Sequence, residues 1–138
     1  MTLSELAKKF DTFYEAFREG RREYMETSGD KMETQVKANI AADVNDSDGT
    51  LTAAVTKAVG TGGGYAAVRN NWHIARHAHL VENGHWMRGH DGRLLTLKNG
   101  GSWVVGRKMY ERAIMELKDE LVADAGKMTD KVVKEHFG

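Results

Sequence analysis

Trp103-Val104-Val105-Gly106-Arg107-Lys108-Met109 is the stretch at which the hydrophobic period of this sequence changes. Trp103, Val104 and Val105 form a short apolar run that reads as a buried strand. Beyond Gly106, apolar residues recur every three or four positions, at Met109, Ala113, Leu117, Leu121, Ala125, Met128 and Val132. That spacing lines one face of a helix, and a helix with one apolar face must bury it, here by lying across a sheet. A strand feeding a long terminal helix predicts an α+β fold.

Upstream, residues 2 to about 27 carry Leu3, Phe10, Phe17 and Tyr24 at seven-residue intervals, with Leu6 and Phe13 between them. An amphipathic helix follows, and Thr2 with Glu5 forms a capping box at its start. Ser28-Gly29-Asp30 predicts a kink or short break, with Asp30 and Glu33 recapping a second segment that carries Met32, Val36 and Ile40. The turn formers Asn45 to Gly49 end it near Val44.

Residues 51–59 and 65–70 flank Gly60-Thr61-Gly62-Gly63-Gly64 and predict a hairpin, and residues 72–82 predict a short helix closed by Asn83-Gly84. From His85 to Gly101 runs a glycine-rich, basic stretch around Leu94-Leu95-Thr96-Leu97, read as a long hairpin or loop. The expected organisation is one domain over 1–138: a helical arm at 1–44, a sheet and loop region at 50–106, and a C-terminal helix at 107–136.

With 41% hydrophobic and 29% charged residues, the chain has the balance of a folded globular protein. It contains no cysteine, which removes disulfides and thiolate zinc sites. The first residues lack an apolar signal region, and no apolar run approaches the roughly 18 residues of a membrane span. A cytoplasmic site of synthesis and no membrane partner are therefore expected. Net charge is zero but uneven: residues 1–50 hold 7 basic against 11 acidic side chains, residues 51–106 hold 6 against 2, and residues 107–138 hold 7 of each. An acidic segment before a basic one suits pairing between identical subunits. The basic excess lacks interleaved aromatics, so no sequence-specific nucleic-acid binding is expected.

His73, His77, His79, His85 and His90 lie within 18 residues. His73 and His77 would share a helix face, and Glu82 or Asp91 could join them around a metal. That pattern supports an alternative reading, a small metal-dependent nuclease or other His-cluster metalloprotein. Against it, there is no His-Glu-x-x-His, and residues 51–106 offer only Glu82 and Asp91 as acidic ligands. Residues 60–64 lack the Gly-Lys-Ser/Thr ending of a phosphate loop and read as a turn. Asp43, Asn45 and Ser47 have calcium-loop spacing, but Asp48 and Ala54 occupy the positions that need Gly and Glu. No complete catalytic set emerges, so no enzyme activity, metal or cofactor is expected. A small interaction module is a third class to weigh.

Two blocks carry a family resemblance. His79-Leu80-Val81-Glu82-Asn83-Gly84-His85 is similar to the His-Leu-x-Glu-x-Gly-His signature of the minor tail, or tail-completion, proteins of siphophages and related prophages. Val104-Val105-Gly106-Arg107-Lys108-Met109, running into a long helix, is similar to the family's second block. The match covers about the last two thirds of the chain, with Gly49-Thr50-Leu51 as the lead-in to the strands. The resemblance implies a non-enzymatic virion component of the neck or tail that helps join tail to head. Its implied partners are itself, in a ring, and neighbouring neck and tail-terminator proteins. His79, Glu82, Gly84, His85, Gly106 and Arg107 are then structural motif residues, with Glu82 needing a partner and Gly84 a positive backbone angle. Trp86, Met87, Arg88, Leu94 and Leu95, set among the glycines at 89, 92, 100 and 101, are the expected partner-contact residues.

Overall fold

The computed structural model describes every residue except Asn99, which falls in the predicted contact segment and lies outside the described residues. The fold is α+β: long helices at both ends of the chain, with two small two-stranded sheets between them. The chain packs into two compact units. The first combines Met1–Thr34, Lys57–Val68 and Met115–Gly138; the second combines Gln35–Thr56 and Arg69–Ile114.

Helix α1 runs unbroken over Leu3–Asp43. Its start is the predicted capping box, in which the Thr2 N–H donates to Glu5 Oε2 at 2.6 Å and the Glu5 N–H donates to Thr2 Oγ1 at 3.1 Å. The break expected at Ser28-Gly29-Asp30 does not occur. Gly29 is buried because another chain segment needs its space: a Cβ there would stand 2.7 Å from Lys57 Cδ. Lys57 also bonds the Asp30 carboxylate. Glycine costs about 1 kcal/mol inside a helix, and close packing of this kind offsets it.

In the first unit α1 packs against α4, Met109–Phe137, the predicted terminal helix. Gly20 lets them approach, since a Cβ there would meet Met128 Sδ at 3.2 Å and Val132 Cγ2 at 3.3 Å. The Tyr24 hydroxyl donates to the Leu121 carbonyl at 2.9 Å. Lys31 bonds Asp124 and Glu120 at 2.5 and 2.9 Å, and these bonds hold its ammonium above the usual lysine range. Phe10 and Phe13 stack on Phe137 with ring centroids 5.3 and 5.2 Å apart.

The expected strand 51–59 is only half strand. Thr50–Ala54 form a short helix, α2, before strand β1, Val55–Val59, which pairs with β2, Ala66–Asn70. The reason lies upstream. Asp46 accepts hydrogen bonds from the N–H groups of Leu51 and Thr52 and from the Thr52 hydroxyl, while Asp48 accepts from the Thr50 N–H. These bonds satisfy the free donors of a helical first turn. Between the strands, the Gly60 N–H donates to Tyr65 O and Gly63 turns at φ 66°, against the Cβ of Arg22 on α1.

The predicted helix 72–82 is shorter at its start: α3 covers Ala78–Asn83. Asn70 and Asn71 favour turns instead, since Asn71 Oδ1 accepts the His73 N–H and Asn70 Nδ2 donates to Ala75 O. Strand β3, Gly84–Trp86, follows and pairs antiparallel with β4, Trp103–Val105, in the register Gly84 to Val105, His85 to Val104 and Trp86 to Trp103. β4 is not the buried strand expected from its composition, because among the described residues the two-stranded ribbon keeps an open face: Val105 is 69% exposed and Trp103 40%. The apolar core of the second unit is instead Val36, Ile40, Leu51, Ala54, Val55, Ala75, Ala78, Met109 and Ala113.

Two glycines give opposite expectations. Gly106→Ala should lower stability by about 1–3 kcal/mol, because its Cβ would sit 2.4 Å from the Glu82 carbonyl oxygen. Gly126→Ala, in mid-α4 with open space around it, should raise stability by about 0.5–1 kcal/mol. Chemical denaturation of both variants measures the pair.

Candidate assembly interface

The two sequence blocks of the motif meet in the second unit. α3 ends at Asn83, and Gly84 leaves it at φ 87° and ψ 169°, a conformation open to glycine alone without strain. A Cβ on Gly84 would stand 2.6 Å from Val104 O and 2.8 Å from Gly106 N, while one on Gly106 would strike the backbone of Glu82, Asn83 and Gly84. The two glycines are required because two backbones cross here in near contact.

Around that crossing, the last carbonyls of α3 accept from the chain entering α4: Arg107 N–H to Val81 O at 2.7 Å and Lys108 N–H to Glu82 O at 3.1 Å. The Glu82 carboxylate accepts the N–H groups of Tyr110, at 3.1 and 3.2 Å, and of Glu111, at 3.1 Å. A side chain 28 residues away thus caps α4, and its negative charge meets the positive end of the helix dipole. Lys108 adopts φ 52°, an uncommon angle for a residue with a Cβ, at the position where the chain turns into the helix. On the far side of Met109, the Asn39 side-chain amide donates to its carbonyl at 3.0 Å, and Arg112 pairs with Asp43 at 2.5 Å.

From this clamp β3 and β4 extend into a hairpin. Its ladder continues with Met87 N–H to Ser102 O at 2.7 Å and Leu95 N–H to Met87 O at 2.9 Å. Gly89 to Arg93 form one tight turn, closed by Gly89 N–H to Arg93 O at 2.9 Å, and further along the Leu97 N–H donates to Gly101 O at 2.6 Å. The described residues between 86 and 102 therefore carry an internal hydrogen-bonded frame. Its large side chains remain open: Trp86 is 55% exposed, and Leu94 and Leu95 are about half exposed. Trp86 meets Trp103 edge-on at 5.2 Å. Met87 is half-buried and Arg88 exposed, with its guanidinium donating to Gly92 O at 2.8 Å.

At the base of the hairpin lies a cavity of about 210 Å³ with mainly apolar walls, including Leu80, Val81, Val104 and Val105, and with Asp43, Asn45 and Arg107 among its lining residues. His85 also lines it, and its Nδ1 is buried without a hydrogen-bond partner among the described residues. A larger crevice of about 450 Å³ runs between α1 and α4 in the first unit, floored by Gly20, Met128 and Val132 and walled by charges of both signs. It is the furrow between two packed helices and contains none of the motif residues.

Comparison with protein-family models, curated proteins and solved structures finds no match to this chain. The histidines are dispersed. His73 stacks on Trp72 at 3.9 Å within the turn, His79 Nδ1 lies 3.0 Å from Arg76 O, and His77 precedes α3. His73 and His77 do not share a helix, and among the described residues no group of three or more His, Cys, Asp or Glu side chains is placed to hold a metal. Sequence reasoning missed Trp103 and Val105 as exposed residues and Lys108 as the left-handed one. A run of three β-formers looks the same in a buried strand and in a ribbon.

Removing the clamp should be measurable. Glu82→Ala should cost about 1–2 kcal/mol, the worth of a helix cap with its dipole interaction, read by denaturant unfolding. Burial, and then the Glu82 charge, push the Tyr110 phenol up to about 12. Because folded Tyr110 ionises later than the unfolded form, the stability it contributes is complete below about pH 10. It is lost as pH rises toward about 12. Tyr110→Phe should flatten that alkaline decline, and an unchanged pH profile would contradict the assignment.

Proposed function

We propose that this chain is a structural virion protein of a long-tailed phage that completes the tail and helps join it to the head at the neck, without enzymatic activity of its own. The observation that carries this reading is the convergence of the two motif blocks. Residues 79–85 and 104–109, which resemble the tail-completion family, meet at one clamp through Glu82, Gly84 and Gly106. A motif whose parts hold each other in place is a scaffold for what it supports, and what it supports here is a hairpin with Trp86, Trp103, Leu94 and Leu95 open to solvent. Exposed apolar groups on a framed backbone suit a contact surface.

In this role the protein would be made in the bacterial cytoplasm, take its place in the virion, and contact neighbouring neck and tail-terminator proteins as well as copies of itself. The reading is tested by inactivating the gene in the phage that carries it and examining lysates by electron microscopy. Filled heads and separate tails are expected, with joining restored by the wild-type gene and not by a Trp86→Ser, Leu94→Ser, Leu95→Ser variant. Such surface changes should leave the fold within about 0.5 kcal/mol. Intact, infectious virions from the null mutant would overturn the reading.

A further inference from the structure

The loop that joins β2 to α3, residues 71–77, turns its large side chains outward. Asn71 fixes it: its N–H donates to Ala54 O at 2.7 Å, its side-chain oxygen accepts the His73 N–H, and its carbonyl accepts the N–H groups of Ile74 and Ala75 at 3.0 and 3.1 Å. Ala75 is wholly buried and pins the loop to the core of the second unit. Trp72 and Ile74 are left 59% and 44% exposed, with His73 and Arg76 exposed beside them. The His73 ring packs on the indole at a centroid distance of 3.9 Å, and the Arg76 guanidinium stands 5.7 Å from the centroid of the same ring. Three flat groups are thus gathered at the surface, and most of the Trp72 side chain is still open.

The loop also carries positive charge that nothing in its unit balances. Residues 50–81 contain no carboxylate, and the six carboxylates of the second unit are all engaged. Asp43, Asp91 and Glu111 form ion pairs with Arg112, Arg93 and Lys108. Asp46, Asp48 and Glu82 accept backbone N–H groups. Asp46 alone among them is close enough to the loop to interact with His77: burial pushes its carboxyl up, but bonds from Thr52 and Leu51, with a contribution from His77, hold it below the usual carboxylate range. His77 is therefore set against Asp46 and adds no free charge. Arg69, near the end of β2, and Arg76 have no carboxylate partner among the described residues. The sequence spaces its basic residues widely, and the fold brings one of them to an aromatic ring.

We infer that residues 69–77 bind single-stranded nucleic acid without regard to sequence, with a base stacking on Trp72 and neighbouring phosphates meeting Arg69 and Arg76. Every base has a flat face, so stacking supplies affinity with no readout of sequence, and the two cations supply attraction to the backbone. A duplex hides its base faces within its own stack and offers only its phosphates. A lipid surface matches less well, because Ile74 is the loop's only large aliphatic side chain and the Arg76 and His73 planes suit another flat ring better than acyl chains. This activity goes beyond the assembly role proposed above and does not depend on it.

The test uses the full-length purified protein and a fluorescein-labelled oligothymidylate, with binding read by fluorescence anisotropy. The wild type should bind the single strand more tightly than the duplex made with its complement, and affinity should fall as salt rises. Trp72→Ala should weaken binding about 5- to 100-fold, and Trp72→Phe, which keeps an aromatic face, should recover most of that loss. Arg69→Gln with Arg76→Gln should lower the slope of log affinity against log salt by about 1–1.5. Lys127→Gln with Lys134→Gln, which removes the same charge from exposed positions on α4, should leave the slope unchanged. Denaturant unfolding of each variant separates lost binding from lost fold. Failure of the wild type to bind the oligonucleotide would overturn the proposal, as would equal affinity for the duplex or for inorganic polyphosphate, or unchanged affinity in Trp72→Ala. Trp72-dependent binding to phosphatidylserine vesicles that exceeds binding to the oligonucleotide would also overturn it, in favour of a membrane surface.

Discussion

The contact between the Glu82 carboxylate and the first N–H groups of α4 organises the second unit. A helix start leaves four donors without intrahelical partners, and the usual remedy is a side chain within a few residues. Here the local sequence, Gly106-Arg107-Lys108, has no carboxylate or hydroxyl to offer. The cap comes instead from the end of α3, whose own unpaired carbonyls at Val81 and Glu82 accept Arg107 and Lys108 in return. Each helix terminus satisfies the other, with opposite dipole ends brought together. The exchange requires the backbones to approach more closely than a Cβ allows, which is why both crossing residues, Gly84 and Gly106, are glycine.

Everything distal to the clamp inherits its geometry from it. β3 begins at Gly84 and β4 ends at Val105, so the register of the ribbon is set where the two glycines cross. The turn beyond it, Gly89 to Arg93, is closed by a backbone bond of 2.9 Å. This arrangement lets exposed tryptophans and leucines be held in a defined orientation with little packing beneath them. Preorganisation of that kind lowers the conformational entropy lost on association. The exposed apolar area is then available for binding and adds little to the stability of the isolated chain.

Long helices and small sheets divide the labour differently in the first unit. There α1 and α4 make the structure, through close approach at Gly20, aromatic contacts of Phe10 and Phe13 with Phe137, and the ion pairs of Lys31. The half-exposed ion pairs contribute little each. The apolar and glycine contacts set the spacing between the helices.

The sequence by itself determined the α+β class, both terminal helices, the capping box at Thr2 and Glu5, and the turn at Gly84, because these depend on local periodicity and on backbone preferences within a few residues. Tertiary structure alone decided four other features: that Gly29 passes through a continuous helix, that residues 51–54 coil into a helical turn, that His73 and His77 part company, and that β4 lies open. The first three turn on a partner distant in sequence or on a side-chain hydrogen bond competing with the pattern: Lys57 against Gly29, Asp46 reaching to Thr52 and Asn71 holding the turn at His73; the fourth is the open face of the ribbon, where Val105 is 69% exposed. The Glu82 clamp belongs with them, since spacing along the chain shows that a carboxylate is present but not that a helix 28 residues later begins at its oxygens.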